Sequence, residues 1–165
     1  MQAAAIFMST FLRIFENRFS QLHERSCALV RSVKSDDLYR QPRVLPKTFA
    51  MFSVGEYILR SAASAEQVFG GITTRLWDDP FEWTLPEKLN TPAAVLDYLS
   101  EVEQISRKGF AFFENDEDLL RKIAAPVQLR SVFEILLSTI ARAEHFQGRA
   151  FAVFQMISDE KLPRI

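Results

Sequence analysis

Ser131-Val-Phe-Glu-Ile-Leu-Leu-Ser-Thr-Ile-Ala-Arg-Ala-Glu-His-Phe-Gln-Gly-Arg-Ala-Phe-Ala-Val-Phe-Gln-Met-Ile157 is the stretch whose reading decides the fold. It opens on Ser131 with Glu134 three residues later, a capping box that marks a helix start. Leu136, Ile140, Ala143, Ala150, Phe154 and Ile157 then recur at steps of three, four or seven, as the buried seam of a long helix does. The same pattern repeats upstream. Ser53 with Glu56 is a second capping box, followed by Val54, Ile58, Ser61, Ala65 and Val68, and predicts a helix over about 53–69. Thr91-Pro92 sets a capping residue before a proline at the first helical position, followed by Val95, Leu99, Val102, Ile105, Gly109 and Phe112 or Phe113. Phe11, Phe15, Phe19, Leu22, Leu29 and Val33 give a further amphipathic stripe near the start. Short helical turns are expected after Ser35 and Asn115, with Asp36, Asp37, Asp116, Glu117 and Asp118 suiting the positive end of a helix dipole.

These segments predict an all-α chain of four long helices, one domain over residues 1–165. Few glycines, 5, and many phenylalanines, 15, suit helices with a bulky core better than a turn-rich β-fold. The stretch from Gly71 to Asn90 holds Trp77, Pro80, Trp83 and Pro86 and is long for a link between antiparallel neighbours. The second helix spans roughly 26 Å at about 1.5 Å per residue. A linker of this size reaches roughly 66 Å when extended, enough to cross the bundle and leave the second and third helices parallel. Trp77 and Trp83 are expected to pin that linker to the helices rather than wall a ligand.

Composition narrows the function classes. Lys plus Arg is 20 and Asp plus Glu is 21, a formal charge of −1, which argues against nucleic-acid binding through phosphates. Arg40, Arg43 and Lys47 read as a solvated loop. No segment approaches the roughly 18 apolar residues of a membrane span, and the N-terminus lacks the basic start of a signal peptide. The single cysteine, Cys27, excludes an intramolecular disulfide and fits a cytoplasmic location. It is expected to be a small buried residue rather than a nucleophile.

Metal chemistry finds little support in the residue inventory. The only histidines are His23 and His145, so three histidines cannot meet in one chain, and neither histidine has the Glu three residues earlier that di-iron bundles use. Gly70-Gly71 lacks the spacing of a phosphate loop. Two side chains stand out. Ser61 interrupts an apolar stripe, where its hydroxyl needs a partner, simplest at the carbonyl one turn back. Arg142 lies beside the seam of the last helix, where a carboxylate such as Glu66, Glu101 or Glu103 would pair with it, or its head would reach water.

In order and spacing the chain resembles the DinB-like (YfiT-like) four-helix bundle superfamily. The resemblance rests on Ser53-Val-Gly-Glu-Tyr-Ile-Leu-Arg-Ser-Ala-Ala-Ser-Ala-Glu66, on Thr91-Pro-Ala-Ala-Val-Leu-Asp-Tyr-Leu99, and on Ser131-Val-Phe-Glu-Ile-Leu-Leu137 leading into Arg142-Ala-Glu-His-Phe-Gln-Gly148. It implies an up-down-down-up bundle, frequent homodimers and, in many members, a divalent metal. That metal is held by a histidine of the second helix and a His-x-x-x-His pair of the fourth. Carried over without gaps, these ligand positions fall on Ser61, Arg142 and Phe146, so all three are replaced. His145 is one residue, about 100° of helix, away from the last of them. The expectation is therefore a homodimeric bundle without metal or other cofactor. Its remnant cavity, built from Ser61, Glu66, Arg142, His145 and Phe146, would take a small anionic or polar ligand through Arg142. The alternatives are an interaction bundle whose role is to bind another protein and, after it, a metal-dependent thiol transferase with altered ligands, using His145 and a nearby carboxylate such as Glu66.

Overall fold

The structure is a computed structural model that describes residues 10–42, 51–80 and 84–164. Its elements are helix α1 (Thr10–Ser32), the short α2 (Ser35–Leu38), α3 (Val54–Thr74), α4 (Pro92–Phe110), a 3-10 turn over Asp116–Leu120, strands β1 (Lys122–Ala124) and β2 (Leu129–Ser131), and α5 (Val132–Ile157). The chain is mostly helical, as the periodicity requires, and α1, α3, α4 and α5 share one core.

The helix starts are those read from the sequence. Ser53 and Ser131 each accept the N–H of the glutamate three residues on, and Glu56 and Glu134 reach back to the cap N–H. The Thr91 hydroxyl accepts from Ala94 N–H ahead of Pro92. Helix α3 runs five residues beyond the expected end at Phe69. The reason lies in Gly70-Gly71: helical glycines cost only about 1 kcal/mol each, and the Trp77 ring occupies the space a Cβ on Gly71 would need. The Thr73 and Thr74 hydroxyls donate back to the Phe69 and Gly70 carbonyls, and the helix stops at Arg75, whose φ of 65° is left-handed. Trp77 does pin the linker: its Nε1 donates to Ala124 O at 3.0 Å, and its own carbonyl accepts from Gln67. Trp83, Arg43 and Lys47 lie outside the described residues.

Two features were not read from the sequence. The residues before α5 pair as a small antiparallel hairpin, Lys122 opposite Ser131 and Ala124 opposite Leu129. Strands of three residues are too short to show a period of two. The start of α1 is capped from afar: the Asp116 carboxylate accepts from Phe11 N–H at 3.0 Å and Leu12 N–H at 2.9 Å. Phe11, expected in the α1 stripe, is 53% exposed and meets the Phe133 ring edge-on. Of the pair Phe112 and Phe113, the second is the buried one.

The core is built from large side chains seated on small ones. Phe19 of α1, Phe69 of α3 and Phe110 of α4 form a mutual edge-to-face cluster with centroids 5.0 to 5.7 Å apart. Phe69 reaches α4 because residue 109 is glycine; a Cβ there would overlap the Phe69 ring. Gly148 of α5 is the contrast, exposed and with nothing within 4 Å of a built Cβ. Gly109→Ala is therefore expected to destabilise by about 1–3 kcal/mol through overpacking. Gly148→Ala should stabilise by about 0.5–1 kcal/mol through helix propensity alone. Urea unfolding midpoints of the two variants check both signs.

Candidate functional site

Small residues face one another where α1, α3 and α4 meet. Ser26 of α1, Ser61, Ala62 and Ala65 of α3 and Ser106 of α4 leave room that larger side chains would fill. The result is a cavity of about 350 Å³, within the range that small-molecule sites occupy. Phe19, Phe110, Leu22, Leu99 and Val102 supply its apolar wall. Glu16, Asn17, Ser20, His23, Glu103 and Arg107 complete its lining with polar groups.

The polar groups are ordered by bonds to one another. His23 Nε2 lies 3.1 Å from Glu103 Oε2, and the other Glu103 oxygen accepts from Arg107 Nη2 at 2.6 Å and Nε at 3.2 Å. His23 and Glu103 are each 21% exposed. Glu103 is thus saturated by partners on its own helix and on α1. Cys27, one turn beyond His23, is buried and holds its sulfur 3.6 Å from His23 Nε2. Burial pushes its thiol pKa up; Arg31 opposes this and Glu103 adds to it. A thiol held protonated in this way is a poor nucleophile, in line with the structural role expected of Cys27.

Deeper in, Ser61 donates to the Ala143 carbonyl of α5 at 2.9 Å, and not to the carbonyl one turn back. Ser106 donates to Val102 O at 2.9 Å. The buried Gln147 amide donates to Leu22 O at 2.7 Å and to Ser26 Oγ at 2.8 Å. Leu22 O can only accept, which settles which end of the amide is nitrogen.

The five residues expected to form one remnant cavity are spread over separate places. Ser61 lines the 350 Å³ cavity. Arg142 and Phe146 line a smaller cleft of about 140 Å³ with Arg60, Ala63, Ser64, Gln67 and Asp79. Glu66 accepts from the Tyr98 hydroxyl at 2.6 Å, and His145 is exposed with its ring edge-on to Phe146. Helix phase explains the division. On α5 Arg142 lines the smaller cleft, while Ala143, the next residue and about 100° round the helix, offers its carbonyl to Ser61. Arg142 does not pair with Glu66, Glu101 or Glu103; it is exposed and donates to Gln67 Oε1 at 3.1 Å. Solvent lowers the cost of its charge, so a neutral acceptor suffices.

A donating hydroxyl, a guanidinium and a phenyl ring do not fit a divalent cation. Among the described residues no group of three or more His, Cys, Asp or Glu side chains gathers as a metal would need. No helix among them is long and apolar enough to cross a membrane.

No family model, curated protein or solved structure matches this chain.

The Glu66–Tyr98 pair joins α3 to α4 next to these sites and carries a pH dependence. Burial raises the Glu66 pKa above its ordinary 4.5, the Tyr98 hydrogen bond lowers it, and Glu101 raises it. A carboxyl with a raised folded pKa binds its proton more tightly folded than unfolded. Its contribution is full below the unfolded value and lost as pH rises through the folded one. Glu66→Gln keeps an acceptor for Tyr98 without the charge. Relative to this variant, the native chain is expected to lose stability between about pH 4 and about pH 7. Urea midpoints of both proteins at the two pH values check this, and superposable profiles would count against it.

Proposed function

We propose that this chain is a metal-free, DinB-like bundle that binds a small polar molecule in the cavity between α1, α3 and α4. The observation that carries the reading is the combination of about 350 Å³ of recessed space, open to solvent on one side, with three buried serines and a His23–Glu103 pair in its lining. Ligand sites are recessed clefts whose apolar walls carry a few polar groups that fix orientation. This cavity matches that form in scale and lining.

The up-down-down-up arrangement belongs to the same proposal, and the order of cross-helix contacts supports it. Between α1 and α5 the numbers rise together, Phe15 with Phe133 and then Ser26 with Gln147. Between α3 and α5 they run oppositely, Gln67 with Arg142 and Tyr57 with Arg149. They oppose again between α1 and α4, Phe19 with Phe110 and His23 with Glu103. Between α3 and α4 they rise together, Glu66 with Tyr98 and Phe69 with Phe110.

A homodimer is the proposed assembly. Phe11 and Ile14 on α1, with Leu137 on α5, are each about half exposed, 53%, 48% and 53%, and exposed apolar surface favours a covered interface. Sedimentation equilibrium is expected to give twice the chain mass, with Ile14→Glu shifting it toward the monomer.

The binding reading is checked by a collection of small charged and uncharged aromatics, read by melting temperature and amide NMR shifts. Shifts centred on Leu22, Ser61, Leu99 and Ser106 are expected. Ala65→Leu, which fills the cavity, should abolish them while leaving the helical circular dichroism intact. Shifts confined to Ser64, Gln67 and Arg142 would move binding to the smaller cleft and end this reading.

A further inference from the structure

We infer that the cavity selects a neutral carboxamide, borne on an apolar body, over the corresponding carboxylate or amine; this inference rests on the binding reading above. It follows from which hydrogens the buried serines have already committed. Ser61 and Ser106 give their hydroxyl hydrogens to Ala143 O and Val102 O, so the capacity left on each oxygen is lone pairs. Ser26 is the reverse. Its oxygen accepts from Gln147 Nε2, and its own hydrogen has no acceptor among the described residues. All three line the same cavity and are buried, with 3%, 3% and 7% exposure for Ser26, Ser61 and Ser106. The three buried serines therefore offer two acceptors and one donor. A primary carboxamide is the complement: two N–H donors and one carbonyl acceptor.

Charge excludes the relatives of that group. Among the buried serines a carboxylate, which only accepts, would meet the lone pairs of Ser61 and Ser106 with one donor, Ser26, to satisfy it; the donors of Asn17, Ser20 and Arg107 stand nearer solvent. The basic side chain in the lining, Arg107, lies at the solvent side, 75% exposed, and turns Nε and Nη2 toward Glu103 rather than toward the buried serines. An ammonium would find the serine lone pairs, but the only lining carboxylates are Glu103, already saturated, and the exposed Glu16. Burying either ion without a partner carries a large desolvation cost. The apolar wall of Phe19, Leu22, Leu99, Val102 and Phe110 accounts for the body of the ligand.

The test uses four probes of matched shape on the full chain: 3-phenylpropanamide, 3-phenylpropanoate, 3-phenylpropylamine and propylbenzene. The amide is expected to raise the melting temperature and shift the cavity amides, at lower concentration than the two ions. Ser26→Ala, which removes the donor, should weaken amide binding by about three- to tenfold, the worth of one hydrogen bond, and leave propylbenzene unchanged. Ser106→Ala replaces only a hydroxyl bonded to its own helix and should act in the same direction, which guards against misfolding of the first variant. Carboxylate or amine binding as tight as the amide overturns this inference and leaves the cavity as a ligand site. Equal weakening of amide and propylbenzene in both variants also overturns it, because the serines would then act through packing. Failure of all four probes to move the cavity resonances overturns the binding reading itself.

Discussion

Gln147 donates both hydrogens of its amide inside the core, one to the Leu22 carbonyl and one to the Ser26 hydroxyl. An amide buried without those partners would cost about 1–3 kcal/mol, so α1 and α5 are held at the one register that supplies them. Ser61 does the same between α3 and α5 through the Ala143 carbonyl. These two polar cross-links fix three helices relative to one another in depth as well as distance. Hydrophobic contact alone is non-directional and tolerates sliding; a buried donor with one acceptor in reach does not. Two of the three walls of the cavity, α1 and α3, are thereby held in place through α5.

The matching of large to small side chains runs through the same region. Phe69 sits on Gly109 and Trp77 on Gly71, so α3 is drawn close to α4 and to its own linker. A little further along, small residues meet small ones, Ala62 and Ala65 against Ser106 and Ser26, and the space stays open. One rule, applied with opposite outcomes a few residues apart, gives a packed aromatic end and a hollow middle.

The local parts of this fold were legible in the sequence and the long-range parts were not. Ser53, Thr91 and Ser131 announce their helices because a cap and its acceptor lie three residues apart. Ser61 was visible as a hydroxyl needing a partner, but nothing nearby names Ala143, 82 residues on. Arg142 was expected either to pair with a carboxylate or to reach water; helix phase turns it to solvent, where it meets Gln67. The cavity was hidden for a related reason. The small residues of α3 stand in plain view, yet their meaning depends on Ser26 and Ser106 facing them. His23 carried a signal that went unused, since it follows Phe19 by four residues and so borders the buried stripe; its partner Glu103 sits 80 positions later in the chain. A carry-over of ligand positions onto Ser61, Arg142 and Phe146 groups three side chains that the helices distribute between two recesses.

The Asp116 carboxylate closes the first turn of α1 from more than a hundred residues downstream. During synthesis α1 therefore emerges with those two amide hydrogens open to water, and they stay so until the chain has been extended by more than a hundred residues. Its opening turn is expected to fray in any nascent fragment ending before this aspartate. The first turn of α1 is thus completed by a residue that lies beyond α3 and α4 in the chain.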